Sequence, residues 1–270
     1  MNITPLPKIT VITPSYNQAQ YLETTIRSVL DQDYPNLEYI VIDGGSTDGS
    51  VEIIKRYAER IAYWVSEPDH GQSHAINKGI QKATGEWIGW QNSDDIYYPN
   101  AFKIIAQKIT QCPSMDLITG DINLIDENGE IIRDMRYVKP TYQSVLAEGM
   151  VLTNQAAFWK RSLHQRLVCL NEGLHYAFDY EWFLRAFSEP IRATHVSEII
   201  GALRCHDNTK TSQYQQKFIE EYQNILHGRV MPTWKKKIYL IRRLLLTVLN
   251  GHYRYIYRGI IRRVSSDKKK

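Results

Sequence analysis

Four times in its first hundred residues the chain runs a short β-branched or aromatic stretch directly into a polar loop: Lys8–Thr13, Leu37–Ile42, Ala62–Val65 and Trp87–Trp90. Between these stretches lie segments with helical spacing. Leu22, Ile26, Val29 and Leu30 form one apolar face, and Ala75–Ile80 leads into the fourth stretch. Buried strands that alternate with helices need crossovers, and crossovers make neighbouring strands parallel. The expected fold class is therefore α/β, with a mostly parallel Rossmann-like central sheet and helices on both faces. Beyond a helix that Pro99 opens and that reaches Gln111, Asp116–Asp121 and Glu130–Arg133 flank the turn Asp126-Glu127-Asn128-Gly129. Asn-Gly is a hairpin signal, so antiparallel strands are expected in the second half of the sheet.

Open sheets of this kind bind ligands beyond the carboxyl ends of their strands. Thr13, Tyr16, Asp43, Asp94 and Asp95 all fall at such ends, so chain order alone predicts that they gather along one edge. The sequence Asn92-Ser93-Asp94-Asp95 follows the Trp87–Trp90 strand without a break. Two adjacent carboxylates repel and raise each other's pKa, so such a pair is usually offered to a cation or to ligand hydroxyls. A solvated turn is the plainer reading. The loop Asp43-Gly44-Gly45-Ser46-Thr47-Asp48-Gly49-Ser50 lacks Gly-x-Gly-x-x-Gly, which disfavours dinucleotide binding. Asp43 has a plainer reading of its own, as a helix cap in a Ser/Thr/Gly turn.

These ordered segments resemble the family 2 glycosyltransferases, inverting and metal-dependent enzymes with the A-type nucleotide-sugar fold. The resemblance covers about residues 8–212. It rests on Val11–Asn17, Ile42–Ser50, the loop Glu67–His74 with Ala75–Ile80, and Asn92–Pro99. It implies that Thr13, Pro14 and Tyr16 contact the nucleoside and that Asp43 accepts from the base ring. It further implies that Asp69 binds donor, Asp94 lies on the ribose side and Asp95 ligates a divalent metal, Mn2+ or Mg2+. Asn154 and Gln155 resemble the segment fronting the acceptor, although their amides are also suited to bonding backbone. Phe178-Asp179-Tyr180-Glu181 with Arg185 resembles the family's Glu-Asp…Arg motif, with Phe178 in place of the first acid. Asp179 is then the catalytic base and Glu181 an acceptor-side residue; helix-terminus charges are the alternative. Leu203–Ser212 is similar to an Arg-x-His segment, which suggests His206 for the metal shell and Lys210 for phosphate, with a surface turn as the alternative. His70 and His74 have no acid at ligand spacing and read as solvated loop histidines rather than metal ligands.

The implied activity is transfer of a sugar from a nucleotide-sugar donor, a UDP-sugar first, to a hydroxyl of a saccharide or lipid-linked saccharide in bacterial polysaccharide or glycolipid synthesis. A nucleotidyltransferase would need basic residues in the first loop, and Pro14-Ser15-Tyr16-Asn17 has none. A catalytically silent sugar-nucleotide binder or scaffold differs only in that no nucleoside diphosphate accumulates.

Charge divides the chain. From Arg229 onward there are 13 Lys/Arg and one acid, so this tail carries +12 and the remainder −8 within a net +4. Ile238, Ile241, Leu245, Val248 and Leu249 hold helical spacing beside Lys235–Lys237 and Arg242-Arg243, too short an apolar run to span a bilayer. An interfacial helix over 234–264 on an anionic membrane is expected; a solvated tail and nucleic acid are the other uses of such a stripe, and nucleic acid is not expected as a partner. The expected division is a catalytic domain over 1–212, with a nucleotide-sugar half at 8–112 and an acceptor half at 113–212, followed by a helical basic tail at 213–270. Three widely spaced cysteines, and no signal-length apolar run in Met1–Ile9, point to a cytoplasmic protein peripheral at the inner face of the membrane.

Overall fold

A computed structural model describes residues 6–207, 209–257 and 259. The first half follows the predicted alternation: β1 (Ile9–Ser15), α1 (Ala19–Leu30), β2 (Leu37–Asp43), α2 (Ser50–Arg56), β3 (Tyr63–Ser66), α3 (Gln72–Lys82) and β4 (Trp87–Trp90). A two-residue strand β5 (Ile96–Tyr97) and α4 (Ala101–Gln111) come next. The second half contains the hairpin β6 (Leu117–Ile125) and β7 (Ile131–Met135), then α5 (Tyr142–Glu148), β8 (Ala157–Lys160), α6 (Arg161–Leu167), α7 (Phe178–Ser188) and the long β9 (Ala193–Arg204). Helices α8 (Lys210–Gln213), α9 (Gln215–Ile225) and α10 (Thr233–Leu249) follow.

The strands make one sheet in the order β3-β2-β1-β4-β8-β6-β9-β5, with β7 on β6. Strands β1 to β4 are mutually parallel where they pair, whereas β8 runs antiparallel to both β4 and β6. Register brings the carboxyl ends together: Ser15 faces Asp43 and Ile12 faces Trp90. Two apolar clusters cover the two faces. One holds Leu22, Ile26, Phe102 and Ile105 from α1 and α4; the other holds Ile76, Leu163, Trp182 and Phe183 from α3, α6 and α7. Trp90, Trp159 and Trp182 are essentially fully buried in the second cluster. Each contributes about 2–3 kcal/mol from burial alone, so the end of β4 stands on a rigid base.

Strand β9 carries the chain back to the same edge. It lies parallel to β6 and antiparallel to β5, with Ile96 opposite Ala202 and Tyr97 opposite Gly201. A Cβ at Gly201 would fall 2.9 Å from the Gln155 carbonyl and 3.0 Å from that of Ile96, so only glycine lets these segments close. That closure delivers Arg204 and His206 to the acids after β4.

The basic segment is joined to the body. Tyr222 of α9 stacks on Tyr180 at 4.6 Å, and α10 lies against α5 through an Arg243–Glu148 ion pair at 2.8 Å and a bond from Arg242 to the Lys139 carbonyl. These two arginines, expected in the basic face, thus pin the helix to the body. The apolar stripe remains in solvent, from 49 % exposed at Val248 to 79 % at Leu249. No helix of the described residues is long and apolar enough to cross a membrane. Within the expected interfacial stretch 234–264, residues 258 and 260–264 lie outside the described residues.

Candidate functional site

The two central acids face different ways. Asp95 is fully buried, and its carboxylate accepts from the Arg204 backbone N–H (2.8 Å), Gln155 Nε2 (2.6 Å) and Asn92 Nδ2 (3.0 Å). Desolvation, and then the neighbouring Asp94 charge, push its pKa well above the usual carboxylate range. Asp94 is half-buried, and its Oδ2 lies 3.2 Å from His206 Nε2. The His206 ring packs on Tyr21 at 4.7 Å, and its Nδ1 is buried with no hydrogen-bond partner. Asp95, the metal ligand that the family resemblance implies, is thus the more enclosed of the two acids. Three donors and the absence of exposed surface make Asp95 a bracket between β4 and β9, while Asp94, its side chain 18 % exposed, faces the buried His206. A carboxylate oxygen and an imidazole nitrogen suit Mn2+ or Mg2+, with ligand oxygens and water filling the other positions.

Arg204 reinforces this bracket. Its Nε donates to the Asp94 carbonyl, its Nη1 donates to the carbonyls of Asp126 and Glu127, and its guanidinium lies 4.9 Å over the Tyr21 ring. The quoted Arg-x-His segment contained this residue, but nothing local indicated that it would hold the loop of the acids from 110 positions away.

The first two strand ends are arranged by the loops they feed. Asp43 is fully buried and accepts four bonds, from the N–H groups of Gly45 and Ser46 and the hydroxyls of Ser46 and Ser66. It organises the glycine loop but caps no helix, because the N-cap of α2 is Gly49 and receives no side-chain bond. Thr13 is also fully buried, and its hydroxyl accepts from Tyr39 at 2.9 Å. Pro14 is buried in the strand. Tyr16 presents a ring that is 62 % exposed beyond β1. Asp69 folds back over the end of β2, where its Oδ1 accepts from the Gly71 N–H at 2.8 Å. A Cβ at Gly44 would lie 2.7 Å from Asp69 Oδ2, so this approach requires glycine.

Phe178 at the start of α7 packs 6.3 Å from Trp90 at the end of β4, which brings Asp179 to the same edge. Asp179 is half-buried, accepts from the Tyr180 N–H at 2.7 Å, and is pushed up to about 6 by burial. Glu181 does not share its position. Its carboxylate forms a two-toothed pair with Arg185 (2.9 Å at both Nε and Nη2), and Arg185 donates to the carbonyls of Leu167, Val168 and Cys169. Glu181 thus clasps the loop after α6. Gln155, expected on the acceptor side, holds Asp95 with its amide. Asn154 is buried beside it with Nδ2 unpartnered.

Lys210 Nζ donates to Gln72 Oε1 at 3.1 Å and to the His175 carbonyl at 3.4 Å. Desolvation lowers its pKa, while the charges of Asp69, Glu221 and Asp94 oppose that shift. His70 and His74 stack at 4.8 Å near Glu172, an acid the sequence places about a hundred positions away. His74 Nδ1 accepts from the His70 N–H and Glu172 Oε1 accepts from the buried Asn77, and the ligand atoms of the three residues lie within 4.8 Å of one another, so the fold supplies the acid at ligand spacing that the local sequence lacks.

Residues 10–167 match the family described as Glycosyl transferase family 2. An uncharacterised glycosyltransferase of Rickettsia typhi is 29% identical over 250 residues, which is 87% of this chain and 76% of that protein. The crystal structure of S. aureus TarS 1–349 in complex with UDP-GlcNAc superposes with a TM-score of 0.69 at 19% identity, over 89% of this chain and 72% of that one. Against another crystal structure of TarS the chain spans 43% of its partner's length. The mannosyltransferase PcManGT of Pyrobaculum calidifontis, in complex with GDP-Man and Mn2+, superposes with a TM-score of 0.62 at 20% identity, over 97% of this chain and 81% of that one. At such identities the structural likeness is one of fold.

Proposed function

This chain belongs to glycosyl transferase family 2 and is a glycosyltransferase, and from that premise we propose that it is a metal-dependent, inverting enzyme acting on a nucleotide-sugar donor. The observation that carries the reading is the Asp94–His206 pair after β4, with Lys210 held between Gln72 and the His175 carbonyl, and with Asp179 next to Phe178, which packs on Trp90 at the end of β4. Asp94 and His206 hold the divalent metal, in place of the Asp95 and His206 set expected from the sequence. When bound, the metal offsets the charge of the donor diphosphate. Lys210 adds a cation on the same side, Tyr16 offers its exposed ring to the base, and Asp69 closes the donor side from its glycine-dependent position. Asp43 acts through the loop it organises. The neighbours bound to UDP-GlcNAc and to GDP-Man with Mn2+ support a nucleoside diphosphate-sugar and leave the base open; UDP is the first choice.

Transfer is a single displacement. Asp179 accepts the proton of an acceptor hydroxyl as that oxygen bonds to the anomeric carbon, and the carbon–oxygen bond to the diphosphate breaks on the opposite face. The anomeric configuration inverts. A carboxyl raised to about 6 is ionised at neutral pH yet more basic than an ordinary aspartate, as a general base requires. The acceptor is a saccharide or lipid-linked saccharide of polysaccharide or glycolipid synthesis. The exposed stripe on α10, among Lys235, Lys236 and Lys237, seats the enzyme peripherally on an anionic membrane where such acceptors lie.

A thermal-shift panel of UDP- and GDP-sugars with Mn2+ or Mg2+ tests the reading. One donor should stabilise the protein only when metal is present, by about 2.7 kcal/mol at 100 times its dissociation constant. Release of nucleoside diphosphate and the anomer of the product follow by NMR. Metal-independent release, or a retained anomer, would overturn the mechanism.

A further inference from the structure

Helix α7 begins without a side-chain cap from its own sequence, although the residues entering it set the position of Asp179. A carboxylate from α9 supplies what is missing. Glu221 Oε1 accepts from the His175 N–H at 2.8 Å, and Oε2 accepts from those of Tyr176 (2.8 Å) and Ala177 (2.9 Å). Three consecutive N–H groups converging on one carboxylate fix both the path and the orientation of the strap that feeds the helix. Ala177 in turn accepts the first helical bond, from the Glu181 N–H, and Asp179 lies two residues beyond.

The support for Glu221 is itself rigid. Phe218, Tyr222 and Ile225 of α9, with Leu226 just past its end, pack against the core cluster that contains Trp90 and Phe178. Tyr214 packs on Tyr176 at 5.5 Å, so the strap is held on a second side. Its carbonyl at His175 meets Lys210, which also donates to Gln72 of the donor-side helix α3. The strap thus joins the donor loop, the start of α7 and the helices after β9.

We propose that Glu221 is a positioning residue for the reaction: by clasping residues 175–177 it holds Asp179 at the distance that proton transfer requires. This rests on the reading of Asp179 as the base. It also extends the catalytic unit through α9, beyond the boundary at 212. Proton transfer is sensitive to small displacements, so a loosened strap slows transfer without loosening the donor, which other strand ends hold.

The test uses Glu221→Ala, which leaves no acceptor, and Glu221→Gln, which keeps one oxygen, both in the full chain. In hydrogen–deuterium exchange the amides of 175–177 should exchange about 10–100-fold faster in the alanine variant and less so in the glutamine variant. UDP affinity with Mn2+ should not weaken. Release of nucleoside diphosphate from UDP-GlcNAc or GDP-mannose, with water as acceptor, should slow by about 10–100-fold in Glu221→Ala. In an Asp179→Asn background the same change should slow release no further, because a residue acting through Asp179 has nothing left to position. Native exchange at 175–177, a parallel loss of UDP affinity, or an equal additional loss in the double variant overturns the proposal. Native release by Asp179→Asn alone would remove the base assignment, while faster exchange in Glu221→Ala would still establish the clasp.

Discussion

Adjacent carboxylates that a sequence presents as equivalent should fail in opposite ways when removed. Asp95→Ala strands two buried donors, the Arg204 N–H and Gln155 Nε2, together with the half-buried Asn92 amide. An unsatisfied buried donor costs about 1–3 kcal/mol, and removing an ionisable group from a dry site recovers part of that sum. The net loss should be about 2–5 kcal/mol, a large fraction of ordinary domain stability, lowering Tm by about 5–15 °C. Asp95→Asn should be milder, because Gln155 Oε1 has no partner and an amide flip can present it to the new NH2. Among the described residues Asp94→Ala loses its contact with His206, and it should change unfolding by less than about 1 kcal/mol. Yet it should abolish the Mn2+-dependent part of the stabilisation by UDP. Thermal unfolding of each variant, with and without Mn2+ and UDP, measures both quantities. A native Tm for Asp95→Ala, or an undiminished Mn2+ and UDP shift for Asp94→Ala, would refute the division of labour.

Three further outcomes are expected. Gly44→Ala puts a Cβ 2.7 Å from Asp69 Oδ2, a movable side-chain end, so the fold should persist while donor affinity, read by calorimetry, falls several-fold; unchanged affinity would remove Asp69 from the donor site. Asp179→Asn should reduce transfer by about 10²–10⁴-fold at near-native donor affinity. In the wild-type protein the rate should fall tenfold per pH unit below about 6, because a raised carboxyl is protonated and useless as a base there, and the absence of that acid limb would count against Asp179. Replacing Ile241 and Leu245 together with Asp should leave the fold intact, since both are more than half exposed, and should abolish salt-sensitive sedimentation with anionic vesicles; equal sedimentation would dismiss the membrane surface.

The sequence by itself determined the architecture and the edge where the site lies. Strand and helix periods are local properties of side-chain burial, and each strand's exit loop is written beside it, so chain order alone placed Thr13, Asp43 and Asp94 along one edge. The hairpin at Asn128-Gly129 was legible for the same reason. Tertiary structure alone decided how the polar groups divide. Whether Asp94 or Asp95 faces solvent depends on the register of β9, whose Arg204 meets them from 109 positions away in one case and 110 in the other. Gln155 and Glu181 looked free to meet an acceptor because their partners, Asp95 and the Leu167–Cys169 carbonyls, lie outside any local pattern. Glu221, on an otherwise unremarkable helix, gave no local signal that it would clasp the strap before α7. Hydrogen-bond partners are chosen among groups that the packed sheet makes neighbours, and a buried carboxylate takes whichever donors that packing delivers.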